Sequence, residues 1–245
     1  RRQRQMCIRD RLHPSSIGQL NFHLGFRNII LKEGTMMIDT ILLDIDGTML
    51  DSRSCLLSSL QMAIKKTLNQ DIPLSTLEPT MGMHEKDTAA LFTDPPEKQQ
   101  ELQDNWTYYV KNNTTLPKLY PNVLSTLLFL KSRNIKLGIV TSKTKEHMRN
   151  DFDKLHINHL FDIIVTSDDI KRPKPDGESI VYALDQLGSD KSASIYVGDT
   201  YNDYLAACDA GVGFYLAGWD VAGDSMLRGI ENRLGDFGDL KILIL

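Results

Sequence analysis

Cysteine is scarce: Cys7, Cys55 and Cys208 are three in 245 residues. An odd, widely spaced set makes neither a disulfide framework nor a CxxC metal knuckle, and it favours a reducing, cytoplasmic setting. Long apolar runs are missing as well. No stretch nears the roughly 18 uncharged apolar residues of a membrane span, so no membrane partner is expected. Basic charge is not in excess: 28 Lys and Arg against 32 Asp and Glu give a net charge of −4, which creates no global field for nucleic acid. The chain shows no internal repeat and no low-complexity tract. What is present is a globular balance, 41% hydrophobic and 24% charged, long enough to bury a core as one large domain or a domain with an insert.

The first residues differ from the rest. Residues 1–37 carry seven Lys or Arg against Asp10 and Glu33, a net +5, which leaves −9 for the remainder. No apolar segment with a small-residue cleavage site follows the arginines, as a secretory signal would need. Met36-Met37 stands directly before the first convincing strand. Residues 1–37 are therefore expected to be a non-native or disordered extension rather than a targeting peptide or a nucleic-acid arm.

From Ile38 onward, strand and helix alternate. Thr40–Ile45, Lys136–Thr141, Phe161–Ser167, Ser194–Val197 and Val212–Leu216 are short, nearly continuous apolar runs, the pattern of strands buried on both faces. Val123–Arg133, Thr144–Leu155, Asp176–Leu187 and Tyr201–Ala210 have helical spacing, and Gly188 and Gly211 close the last two. This alternation predicts an α/β fold with a parallel sheet. The rhythm breaks between Asp51 and Pro121, where Ser54–Leu68, Glu85–Phe92 and Glu97–Val110 read as helices without an intervening strand. An insert that long after a first strand reads as a lid.

Ligands of open α/β sheets bind beyond the carboxyl ends of the strands, and four polar clusters fall there. The first strand ends in Asp44-Ile45-Asp46-Gly47-Thr48. Paired carboxylates after an apolar strand are costly unless a cation or a reaction uses them, although Asp-Gly-Thr is also common in solvated turns. The second strand ends in Thr141-Ser142-Lys143; a hydroxyl and the following backbone N–H groups can hold a phosphate oxygen, or Ser142 or Thr144 can simply cap a helix. Beyond the third strand, prolines flank Lys174 in Lys171-Arg172-Pro173-Lys174-Pro175-Asp176, stiffening the backbone that presents its ammonium; Lys171 and Arg172 read as solvated. The fourth strand ends in Gly198-Asp199-Thr200-Tyr201-Asn202-Asp203, where Asp199 and Asp203 could also be helix-start acids. Jointly, two acid clusters, a hydroxyl and a lysine suit Mg²⁺ and a phosphoryl group: one carboxylate attacks phosphorus and a second handles protons.

In this order, DIDGT (44–48), the strand ending at Thr141, KRPKPDG (171–177) and GDTYND (198–203) resemble the haloacid dehalogenase-like superfamily of phosphohydrolases. The resemblance covers about residues 38–220. It implies a three-layer, doubly wound parallel sheet of Rossmann-like form, with a core over 38–51 and 117–245 and an inserted α-helical cap over 52–116. It also implies roles. Asp44 would be the nucleophile and form an aspartyl-phosphate; Asp46 would be general acid and then general base. Thr141 and Ser142 with the neighbouring backbone, together with Lys174, would bind the phosphoryl group. Asp44, the Asp46 carbonyl and Asp199 would ligate Mg²⁺, and Asp203 would reach the metal through water or orient Lys174. Within Met81-Gly82-Met83-His84-Glu85-Lys86, His84 and Lys86 would touch the non-phosphate part of the substrate, the bland alternative being a helix N-terminal turn. The acid at Asp46 favours phosphate-ester hydrolysis over dehalogenation. Gly198 before Asp199, where sugar-phosphate mutases carry Glu, argues against the alternative of a phosphotransferase or mutase. The length and the insert argue against a receiver-type signalling domain. DGTMLDS (46–52) looks most like phosphoglycolate phosphatases and the related pyrophosphatases, so the expected partner is a small phosphorylated metabolite.

Overall fold

A computed structural model describes residues 38–113, 117–219 and 225–245. The extension expected over 1–37 lies outside them. Six parallel strands form one sheet in the order β5-β4-β1-β6-β7-β8. They are β1 (Thr40–Leu43), β4 (Lys136–Val140), β5 (Ile163–Val165), β6 (Ser194–Gly198), β7 (Gly213–Ala217) and β8 (Arg233–Leu234). Every residue of β1 and β6 is buried, because helices cover both faces of the sheet. One apolar core contains Ile41, Leu43, Leu127 and Ile139; the other contains Leu42, Val140, Ile180 and Tyr196. Alternating residues of β1 thus face opposite layers, as the strand period of two demands.

Four helices flank the sheet: α5 (Val123–Ser132), α6 (Lys145–Asn150), α7 (Glu178–Leu187) and α8 (Tyr201–Ala210). Helix α7 buries Ile180, Ala183 and Leu184, a stripe at i, i+3 and i+4, and ends in left-handed Gly188. Helix α8 turns Ala206, Ala207 and Ala210 inward. Its small face allows the start of α7 to approach so closely that a Cβ on Gly177 would lie 2.6 Å from the Ala210 nitrogen.

The insert has its own core. Helices α1 (Arg53–Leu68), α2 (Leu74–Leu77), α3 (Glu85–Phe92) and α4 (Pro96–Lys111) bury Leu60, Ile64, Leu77, Leu102 and Trp106 together. Two short strands, β2 (Leu50–Asp51) and β3 (Lys118–Leu119), pair antiparallel at the two ends of this unit. No strand was expected there, since two residues are too few for a periodicity. No described helix is long and apolar enough to cross a membrane.

One expectation for the body needs revision. The helix expected over Thr144–Leu155 stops at Asn150, and a 3₁₀ turn over Phe152–Leu155 follows. Asp151 breaks it with φ −133° and ψ −69°, its carboxylate turned to Lys143. Residues 225–245 supply the edge strand β8 and a 3₁₀ segment, Phe237–Ile244. Phe237 and Leu240 enter the first core, and Trp219 packs edge-on between Tyr120 and Phe237. Ile242 and Leu245 remain exposed.

Candidate active site

The Asp44 N–H donates to the Val197 carbonyl, extending the β1–β6 ladder by one bond and fixing the carboxylate at the sheet's rim. The chain then folds back, with the Met49 and Leu50 amides both donating to the Ile45 carbonyl at 2.8 Å. Gly47 makes this turn at φ +76°, and a Cβ there would lie 2.1 Å from Asp199 Oδ2. Glycine is thus required both by the left-handed backbone and by the carboxylate stacked against it. Asp199, from the end of β6, accepts from the Thr48 hydroxyl. Asp44, Asp199 and Asp203 each bring a carboxylate oxygen within 4.8 Å of the others.

Lys174 bonds two of these acids. Its buried ammonium donates to Asp44 Oδ1 at 2.8 Å, to Asp203 Oδ1 at 2.6 Å and to the Tyr196 hydroxyl at 2.9 Å. Burial alone would lower the lysine's proton affinity; Asp203 and Asp44 outweigh it and hold the group above the ordinary lysine value. Burial pushes the Asp44 carboxyl up to about 7, against the pull of Lys174. Asp203 is held below the usual carboxylate range: burial acts to raise it, but Lys174 and the hydrogen bonds from Thr200 and Tyr196 prevail. Its Oδ2 accepts from both the N–H and the hydroxyl of Thr200, and its Oδ1 also accepts from Tyr196. With four donors engaged, Asp203 is placed to orient Lys174. Asp44 and Asp199 can supply oxygen ligands to a hard divalent cation, and Gly47 has no side chain to displace the Asp199 carboxylate packed against it.

A second lysine, missed in the sequence, lies beside Asp46. Lys143 is buried and reaches Asp46 Oδ2 at 2.9 Å and Asp151 Oδ2 at 2.7 Å. The Ser52 hydroxyl donates to Asp46 Oδ1. Asp46 is thereby oriented on both oxygens. Burial opposes the Lys143 charge, yet Asp46 and then Asp151 hold its proton more firmly than in an ordinary lysine. Thr141 is buried, and its hydroxyl accepts from the Lys143 N–H. The Ser142 hydroxyl donates to the Gly82 carbonyl of the insert at 3.2 Å, so it also ties the insert to the sheet.

These residues line a cavity of about 60 Å³, room for on the order of four to six waters. Asp44, Asp46, Thr141, Ser142 and Lys143 form its floor, and Met81, Gly82, Met83 and Glu85 lie over them. Gly82 makes the close approach possible: it has φ +74°, and a Cβ would lie 2.6 Å from Thr200 Cγ2. His84 and Lys86 are not among the described lining residues. The His84 ring instead accepts from the Lys86 N–H and caps α3. Glu85 between them turns inward, its Oε1 2.9 Å from His147 Nδ1, and His147 Nε2 lies 3.0 Å from the Thr107 hydroxyl. Lys143 stands in the Thr141-Ser142-Lys143 cluster and Glu85 in the 81–86 stretch, but neither was given a role from the sequence, and His147 carried no signal, because their partners lie on other elements.

Comparison with known proteins agrees with this architecture. A family model described as haloacid dehalogenase-like hydrolase matches residues 41–217. The chain is 30% identical over 190 residues to a pyrophosphatase, PpaX, of Bacillus pumilus, covering 78% of this chain and 88% of that protein. It is 31% identical over 205 residues to PpaX of Bacillus velezensis, with 79% and 89% covered. In fold it is similar to a predicted phosphoglycolate phosphatase from Haemophilus somnus (TM-score 0.77, 22% identity, 86% of this chain and all of that one). It is likewise similar to CbbY from Rhodobacter sphaeroides in complex with phosphate (TM-score 0.71, 19% identity, 83% and 96% covered).

Proposed function

The chain belongs to the haloacid dehalogenase-like hydrolases, and we propose that it is a cytoplasmic, Mg²⁺-dependent phosphatase acting on small phosphorylated metabolites through an aspartyl-phosphate. The carrying observation is the Asp44 carboxylate, held by Lys174 at 2.8 Å at a strand end with Asp199 beside it and with a second, separately oriented acid two residues on. Asp44, Asp199 and the Asp46 carbonyl would hold Mg²⁺. When bound, that ion supplies the positive charge that keeps Asp44 ionised and offsets the phosphoryl oxygens.

In the first step an Asp44 oxygen attacks phosphorus. The bond to the leaving oxygen breaks, and the Asp46 carboxyl gives that oxygen its proton. In the second step Asp46 takes a proton from water, the hydroxide oxygen attacks phosphorus, and the phosphorus bond to Asp44 breaks. Ester and water become alcohol and phosphate, with both acids restored. Lys174 and the Thr141–Lys143 turn offset the charge on the phosphoryl oxygens. The insert closes over the cavity and excludes bulk water.

Transfer to a sugar hydroxyl has less support, since any side chain at Gly198 would collide with Asp203: its Cβ would lie 2.5 Å from the Asp203 Cβ. The test is Asp44→Asn, assayed for phosphate released from an aryl phosphate with Mg²⁺. The expected result is a folded protein without turnover. A variant that keeps full activity rejects the mechanism.

A further inference from the structure

Resting on the phosphatase reading, this inference concerns the group that the phosphate leaves. Above the strand ends, the insert lines the cavity with apolar side chains, Leu57, Met81, Met83 and Trp106 among them, with Thr80, whose hydroxyl donates to the Leu77 carbonyl, and with one carboxylate, Glu85. Among the described lining residues the cationic side chains are Lys143 and, if protonated, His147. Each is already matched. Lys143 lies between Asp46 and Asp151, and His147 faces Glu85. Lys174, below the floor, is committed to Asp44 and Asp203. In either state of His147 the wall around the leaving group is neutral or negative.

A second anion on the substrate would enter that wall with no cation to receive it and with Glu85 beside it. Like-charge juxtaposition beside a carboxylate that is itself largely shielded from solvent is a rejecting element. A hydroxyl or ammonium there would instead donate to a carboxylate that is only 12% exposed. We propose that Glu85 is a specificity-determining residue: it selects small phosphate monoesters whose leaving alcohol carries no anion and offers a hydrogen-bond donor, and it disfavours carboxylate-bearing esters and pyrophosphate.

The experiment compares kcat/KM of the full chain with Mg²⁺ on glycerol phosphate, ethanolamine phosphate, phosphoglycolate and inorganic pyrophosphate, with an aryl phosphate as reference. The two donor-bearing esters are expected to lead by at least about tenfold. Glu85→Gln keeps the size of the side chain and a contact to His147; it should shrink that ratio to about threefold or less. Glu85→Lys should reverse the ratio, and where this variant fails to fold, Glu85→Gln decides. A purely structural role would lower all five rates together and leave the ratio intact, which overturns the proposal. So does a wild-type preference for phosphoglycolate or pyrophosphate. Failure to release phosphate from any compound, the aryl phosphate included, overturns the phosphatase reading itself.

Discussion

Replacing Lys143 by Met keeps most of the side chain's length and removes its charge. The ammonium lies 2.9 Å from Asp46 and 2.7 Å from Asp151, with 4% of the side chain exposed. At an effective dielectric of about 20, each contact is worth on the order of 5–6 kcal/mol of gross attraction. Most of this offsets desolvation. The net cost of leaving partners uncompensated is about 3–5 kcal/mol, and Asp151, buried as deeply as the lysine, bears the larger share. Lys143→Met should therefore lower the urea midpoint with an unchanged m-value. Adding Asp151→Asn, which removes one orphaned charge, should recover part of the loss. Asp46 retains the Ser52 hydroxyl but loses its second anchor, so kcat should fall by about 100-fold, the cost of a misplacement near 1 Å. Urea melts of the wild type, both single variants and the double variant, with kcat on an aryl phosphate, test both halves. A Lys143→Met protein within about 0.5 kcal/mol of wild type and with unchanged kcat would refute the reasoning.

Three further outcomes follow from the geometry. Gly47→Ala should retain the fold at a backbone cost of about 1–2 kcal/mol and lose about 100-fold in kcat, because the new Cβ displaces Asp199; a kcat within twofold of wild type contradicts the stacked arrangement. Chelation should abolish turnover and Mg²⁺ should restore it. Added Mg²⁺ should also raise the melting temperature by mass action, and a melt indifferent to millimolar Mg²⁺ counts against the cation site. Asp162 accepts from Lys131 and from the Leu137 N–H, contacts that hold its carboxyl below the usual range against a partial burial that would raise it. Its contribution is therefore present above about pH 4, the unfolded value, and is lost as the pH falls through the lower folded one. Asp162→Asn should be less stable than wild type at neutral pH, and the gap should close below about pH 4; urea midpoints that differ equally at pH 7 and pH 3 disagree.

Much of the fold was legible because the central strands are short, fully buried and flanked by helices of clear period. A parallel strand covered on both faces leaves a continuous apolar run such as Thr40–Leu43, and Gly188 and Gly211 mark helix ends through their left-handed backbone. The illegible parts had no period to read. The strands β2, β3 and β8 have two residues each. The end of α6 at Asp151 was hidden for a different reason: Asp151 turns out of helical geometry where its carboxylate meets Lys143, eight residues back and buried with it.

The same distinction separates the site residues that could be read from those that could not. Asp44, Lys174 and Asp199 were visible because each follows an apolar strand or stands between prolines, where a charge is out of place. Lys143 stood in the cluster that ends the second strand, and Glu85 in the 81–86 stretch, but neither had a role of its own. Their significance comes from partners on other elements. In the folded chain the two acids of the first motif each take one buried lysine. Asp44 shares Lys174 with Asp203, and Asp46 shares Lys143 with Asp151. Each lysine is thus clamped between an acid at the site and an anchoring acid outside the cavity. A lysine so held cannot swing toward an incoming anion without leaving two carboxylates behind. If Asp44 receives the phosphoryl group as proposed, the floor has no lysine to lend to a second anion, and discrimination at the leaving group would rest with the insert and with Glu85.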